Sequence, residues 1–294
     1  MKKMHDSPYT WLAPVMVLLF SITIIPTLFL FYTSLMNWEL GTPWAERVFV
    51  GLQNYQKIFT SFLFQQAIKR TIIYTIASVG LQFIFGFLIA NFLVRKSVRW
   101  KGIIIGTLII PMTVTPSIAG LIWRLYFNPN YGIVNYFLSF LGISPDWYSY
   151  SLAMSSVVIV DVWQWTPFVA LILFAGLSAL PPTPFEAALV DGASKFQILK
   201  YITLPLLQPI ILIALLLRSM DALKMFDVVF SLTGGGPADA TELLSMLVYR
   251  TGFYQTGMVG LASAMAVILL VIITLICQFF IKILGEKKVE INET

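Results

Sequence analysis

Residues 259–284 read VGLASAMAVILLVIITLICQFFIKIL, an apolar run whose one charge, Lys282, lies near its end. The run is too long for a strand of a soluble sheet and lacks the period-two alternation of an outer-membrane barrel strand. About 20 such residues cross the hydrocarbon core of a bilayer as a helix. Working back along the chain, five more runs have the same character: Trp11 to Met36, Thr71 to Val94, Gly102 to Trp123, Leu152 to Ala175 and Leu207 to Phe230. The sequence predicts an all-α polytopic bundle of six transmembrane helices, forming a single transmembrane domain over 1–294.

Composition narrows the function classes. With 58% hydrophobic and 11% charged residues, the chain cannot cover a soluble enzyme, which is about 25% charged. Cys277 is the only cysteine, so a disulfide scaffold is excluded, and Cys277 itself is read as an inert apolar residue. His5 is the only histidine, which excludes His-ligated metal centres and an intramembrane Ser–His protease. The net charge of +5 does not indicate nucleic acid, because the cations fall between the apolar runs, where they act as topology signals. The first run exceeds a signal-peptide core and has no A-x-A-like cleavage site, so it is expected to be a retained helix. Pro14 and Pro26 predict bends in it, and Gly102 with Gly106 forms a G-x-x-x-G pattern that predicts close helix packing.

Sidedness follows from Lys and Arg. With the amino terminus inside, the inner side holds Lys2, Lys3, the tight cluster Arg95, Lys96, Arg99 and Lys101, then Lys195, Lys200, Lys282, Lys287 and Lys288. The outer side holds Arg47, Lys57, Lys69, Arg70, Arg124 and Arg250. Both termini are therefore expected inside. The outer connections carry Trp38, Trp44, Tyr126, Trp147 and Tyr148, which suit the water–lipid boundary.

The inner connection at about 181–205 has a pattern of its own. Thr183-Pro184-Phe185-Glu186 reads as a capping box with proline in the first turn, opening a short helix to about Asp191 that Gly192 ends. Ser194-Lys195-Phe196-Gln197 is a second cap, opening a helix toward Thr203, after which Pro205 is expected to start the next span. Two short helices meeting at a glycine make an elbow along the membrane. Helices this short must pack on something, either on lipid and their own bundle or on a soluble partner.

Here the residues carry a resemblance. Glu186-Ala187-Ala188, then Gly192, Ile202 and Leu204-Pro205, resembles the EAA loop of binding-protein-dependent ABC importers. Gly51-Leu52-Gln53-Asn54-Tyr55, Phe127-Asn128-Pro129, Gly132-Ile133-Val134-Asn135 and the stretch from Phe226-Asp227 to Gly236-Pro237, with Thr241 and Tyr249-Arg250, resemble maltose-type sugar permeases along nearly the whole chain. The resemblance implies the type I ABC importer permease fold and a carbohydrate cargo, a di- or oligosaccharide, handed over by an extracytoplasmic sugar-binding protein. It also implies a second homologous permease and two cytoplasmic ABC ATPase subunits. Those ATPases bind ATP and magnesium, since this chain has no G-x-x-x-x-G-K-[ST] loop and no cofactor of its own is expected. The membrane implied is the bacterial or archaeal cytoplasmic membrane. The coupling residues implied are Glu186, Ala187, Ala188, Asp191, Gly192, Phe196, Leu204 and Pro205.

Asp161, Arg218 and Asp221 fall at or near membrane depth, with Lys224 and Asp227 further along. A charge at a helix centre costs about 2.5–3.5 kcal/mol on insertion scales and usually faces a cavity or a partner. Arg218 and Asp221, spaced i, i+3, can pair on one face, as a self-neutralised structural pair or as part of a water-accessible sugar site. By its resemblance to the maltose-type permeases, the chain would place sugar contacts at Asp161, Gln164, Trp165, Phe168, Arg218, Asp221, Ala222 and Met225, beside Trp163. A proton-coupled carrier using Asp161 and Asp221 is the alternative, but it has no use for the inner elbow.

Overall fold

In the computed structural model, residues 8–95 and 97–293 are described, with side chains over 11–95 and 97–284. Lys2, Lys3, His5 and Lys96 lie outside the described residues, and Lys287 and Lys288 are described in backbone alone. The chain divides into two compact units, Met1–Gln65 with Leu247–Val271, and Gln66–Met246 with Ile272–Thr294.

The first unit holds α1 (Pro8–Ser34), a two-stranded antiparallel ribbon of β1 (Met36–Asn37) and β2 (Val48–Phe49), and α2 (Gln53–Thr60). It also receives the first half of α13 (Val259–Glu293). Helix α1 runs through both Pro14 and Pro26. From Trp11 to Tyr32 its side chains are exposed or half-buried, and Ser21, Thr23 and Thr27 donate to carbonyls four residues back, so these three hydroxyls do not meet lipid unpaired. The Gly51–Tyr55 stretch ties off the end of this helix. The buried Asn54 amide donates to the Ser34 and Met36 carbonyls, both at 2.9 Å, and the Tyr55 and Ser34 hydroxyls share a bond of 2.8 Å.

The second unit is built from α3 (Phe62–Val94), from Gln66 onward, α4 (Lys101–Thr113), α5 (Pro116–Tyr126), α6 (Ile133–Ser139) and α7 (Ala153–Ser178). These are followed by α8 (Thr183–Val190), α9 (Lys195–Ile198), α10 (Leu204–Leu223), α11 (Asp227–Leu232) and the first half of α12 (Leu244–Tyr249). Among the described residues, five helices are long and apolar enough to span a membrane: Trp11–Ser34, Phe62–Val94, Ala153–Ser178, Lys195–Leu223 and Val259–Leu284. The expected third span, Gly102 to Trp123, is instead the pair α4 and α5, bent by 96°. Thr115 precedes Pro116 with ψ 136°, the extended conformation that proline imposes on its predecessor. The expected fifth span also ends early, at Leu223, before α11 begins at Asp227.

Close helix contact occurs at other glycines than the expected ones. A Cβ built on Gly102 or Gly106 meets nothing within 4 Å, so neither packs against a helix of this chain. A Cβ on Gly86 would lie 2.8 Å from Val169 Cγ1 and 3.1 Å from the Ala170 nitrogen, so α3 and α7 touch backbone to backbone there. Valine is stiff at χ1 and cannot step aside. Gly86→Ala is expected to destabilise the protein by about 1–3 kcal/mol, read as a lowered thermal midpoint of the detergent-purified protein. An unchanged midpoint would mean that the two helices are less closely seated.

Candidate functional site

The elbow forms, with one difference. Its first helix starts one residue earlier than the Thr183 cap requires. The Pro182 carbonyl accepts from Phe185 and Glu186 nitrogens at 3.0 and 3.1 Å, so Thr183 is already helical and makes no side-chain cap. Glu186 therefore closes no capping box; it lies exposed in the first turn, where a negative charge suits the helix dipole. The far end is a Schellman motif: the Ala193 nitrogen donates to the Ala188 carbonyl at 2.9 Å and the Gly192 nitrogen to Leu189 at 3.2 Å. Gly192 sits at φ +73°, the left-handed region that glycine enters without strain.

The second cap forms as expected. The Ser194 nitrogen donates to Gln197 Oε1 at 2.7 Å and the Gln197 nitrogen to Ser194 Oγ at 3.3 Å. The helix it opens does not stop before Pro205. It runs from Lys195 to Leu223 as one rod, through a π-helical turn over Leu199–Thr203. Pro205 has no N–H to donate, and the wider turn absorbs that missing bond. Ala188 is buried, whereas Ala187, Asp191, Gly192, Leu204 and Pro205 are exposed. Leu189, Val190, Phe196 and Tyr201 present an apolar surface, each at least 66% exposed.

At the middle of the second unit lies a polar cluster. Arg218 on α10 and Asp161 on α7 are both fully buried, with Arg218 Nη2 at 3.3 Å from each Asp161 carboxylate oxygen. Gln82 on α3, also fully buried, bridges the two. Its amide donates to Asp161 Oδ2 at 2.8 Å and to the Asp161 carbonyl at 3.2 Å, while its oxygen accepts from Arg218 Nε at 2.9 Å. The guanidinium carbon lies 4.9 Å from the centre of the Trp165 ring, within cation–π range. Trp165 meets Phe168 edge to face at 6.2 Å.

The expected pairing of Arg218 with Asp221 is thus the weaker one. Asp221 Oδ2 is 3.8 Å from Arg218 Nη1, while Asp221 Oδ1 is 3.0 Å from Lys224 Nζ, and the Asp221 side chain is 45% exposed. Gln164 is fully buried and donates to the Val114 carbonyl at 2.6 Å, which satisfies a backbone oxygen freed by the bend between α4 and α5. Ala222 and Met225 are buried in the main core with Val228 and Val229, and Trp163 packs against that core, edge to face with Trp123 at 5.6 Å. Asp161, Arg218, Asp221, Trp165 and Phe168 are thus on two facing helices. Lys224, noted as a charge near this depth, pairs with Asp221, and Gln82 joins them without having been singled out from the sequence.

Over residues 7–289 the chain matches the family described as the binding-protein-dependent transport system inner membrane component. The chain belongs to that family. It is 36% identical to the trehalose/maltose transport system permease protein MalF of Thermococcus litoralis, over 94% of this chain and 92% of the relative. It is 34% identical to the sulfoquinovosyl glycerol transport system permease protein SmoG of Agrobacterium fabrum, over 94% and 89%. Its fold is that of a bacterial ABC transporter involved in the import of the acidic polysaccharide alginate, with a TM-score of 0.78 at 22% identity, covering 95% and 94% of the two chains. As an inner membrane component of a binding-protein-dependent transport system, the chain is a multi-pass ABC importer permease.

Proposed function

We propose that this permease forms one half of the membrane pathway of an ATP-driven importer for a di- or oligosaccharide released by an extracytoplasmic binding protein. The other half is a second homologous permease, since six spans with one elbow make half of a two-sided pathway. Two cytoplasmic ATPase subunits bind ATP and magnesium and supply the work, and both termini lie on their side of the membrane. The observation that carries this reading is the continuous rod from the capped elbow at Ser194 to the buried Arg218. One helix joins a surface fit for a soluble partner to the polar cluster at membrane depth. The carbohydrate names borne by the relatives support the cargo class.

Glu186, Ala187, Asp191, Gly192 and Phe196 are exposed for docking in an ATPase cleft, and Ala188 seats the first helix on the bundle. Leu204 and Pro205 pass the displacement to the span. Trp165 and Phe168 offer ring faces to a sugar, and Asp221 and Arg218 offer acceptor and donor to its hydroxyls. Asp161 and Gln164 hold the site's framework, and Ala222 and Met225 form its apolar floor. The carrier alternative has no support, because Asp161 is committed to Arg218 and Gln82 and the family is that of binding-protein-dependent transport systems.

The test is uptake of radiolabelled maltose and trehalose into proteoliposomes holding both permeases and the ATPases. Uptake should need ATP and the binding protein. Uptake driven by a proton gradient without ATP would overturn the proposal. In the same assay, an assembled Asp221→Ala complex should lose on the order of tenfold or more in uptake, the size of one lost charge-assisted hydrogen bond of about 1.5–3 kcal/mol. Wild-type uptake and selectivity in that variant would return Asp221 to a structural role.

A further inference from the structure

The charges at the site close on themselves. Arg218 is matched by Asp161, whose two oxygens lie at equal distance from Nη2, and Asp221 is matched by Lys224 at 3.0 Å. Two cations and two carboxylates therefore sum to zero. Gln82 locks the first pair by bonding both members at once. The relatives include one named for a neutral disaccharide and one named for a sulfonated glycoside, so family membership leaves the charge of the cargo open.

Resting on the sugar-site reading above, we propose that the cargo of this permease is an uncharged carbohydrate. An anionic sugar needs a cation with no carboxylate of its own. Here it would approach a guanidinium that already faces Asp161, past the half-exposed carboxylate of Asp221, and like charges in one site disfavour ionisation of both. A hydroxyl has no such difficulty. Arg218 Nη1 is buried with no hydrogen-bond partner among the described residues, and it stands 3.8 Å from Asp221 Oδ2. A sugar hydroxyl entering there could accept from Nη1 and donate to Asp221, satisfying both groups without adding charge. The Trp165 ring, already beside the guanidinium, gives an apolar face on which a neutral pyranose stacks.

The experiment is equilibrium binding to the purified complex of both permeases and the ATPases, trapped with ATP and vanadate. The probes are two matched pairs, trehalose with trehalose 6-phosphate and maltose with maltobionate. The neutral member of at least one pair should bind, with its anionic counterpart weaker on the order of a hundredfold, the cost of a buried charge without a partner. Asp221→Asn keeps the Asp161–Arg218–Gln82 cluster intact and frees Lys224, so it should narrow that gap on the order of tenfold while the complex still assembles. Anionic probes binding the wild type as tightly as their neutral partners would overturn the charge inference and leave the sugar site standing. An unchanged gap in Asp221→Asn would also overturn it. Binding of neither class, together with unaltered uptake by Asp221→Ala, would overturn the site itself.

Discussion

Arg218→Ala should cost about 3–5 kcal/mol of stability, because it leaves a buried carboxylate without its counter-ion. That is a large share of a domain stability of roughly 5–15 kcal/mol. Asp161 would lose both Nη2 contacts, and the Gln82 oxygen would lose its donor. The purified variant is expected to be poorly assembled, with a lowered thermal midpoint and no uptake. A companion variant separates folding from transport. Replacing Arg218, Asp161 and Gln82 together by apolar residues, as Arg218→Met, Asp161→Leu and Gln82→Leu, strands neither charge of the pair, and such exchanges are often neutral or stabilising. The triple variant should therefore recover assembly but not uptake. If Arg218→Ala alone melts at the wild-type temperature, the cluster is open to water and is not the closed unit described above.

The second large effect is expected at Gly192. A Cβ there meets nothing within 4 Å, so the cost of Gly192→Val is conformational rather than steric. At φ +73° an L side chain costs about 1–2 kcal/mol, and a β-branched one at the upper end. The strain is relieved by opening the angle between α8 and α9, which moves Phe196 and Tyr201 relative to Leu189 and Val190. ATP hydrolysis by the partner subunits should persist while uptake falls by about 5- to 150-fold, the range of a coupling free energy of 1–3 kcal/mol. Gly192→Ala should lie between wild type and Gly192→Val. Full uptake in a reconstituted Gly192→Val complex would count against the elbow as the coupling element.

Much of this architecture is legible before any coordinates. Six apolar runs, long enough to span and interrupted by capped or glycine-ended segments, imply a helical bundle because lipid leaves no other way to satisfy the backbone. The Ser194 cap and the Gly192 stop also follow from residue type, since both are local hydrogen-bond problems solved within a few residues. The Thr183 cap was decided otherwise: the Pro182 carbonyl captured Glu186 first, a competition between neighbouring starts that spacing does not resolve. The bend at Val114–Thr115 had a signal in Pro116, but proline alone does not separate a kink from a break.

The site was harder to read. Asp161 and Arg218 stand out as charges among apolar residues, yet nothing in their spacing says that they meet across two helices rather than that Arg218 turns to Asp221 on its own. Gln82 is one amide in a long apolar helix. Its role exists only in the contact with residues 79 and 136 positions away in the chain. Such cross-helix partners are fixed by packing, which periodicity does not encode.

Because α9, the π-helical turn and α10 form one continuous helix, no break in the helix lies between the elbow and Arg218. At 1.5 Å per residue the distance from Lys195 to Arg218 is roughly 35 Å, about the thickness of the hydrocarbon core. Pivoted at Arg218, a tilt of about 10° would sweep the elbow end through roughly 6 Å, and by the same geometry a 6 Å pull at the elbow turns the guanidinium in place with little translation. In the importer proposed above, the rod would serve as a crank whose handle is the elbow and whose axle is the charge cluster. What would reach the charge cluster is torque, and a bond network set by direction, like the one around Arg218, is undone by rotation more readily than by displacement.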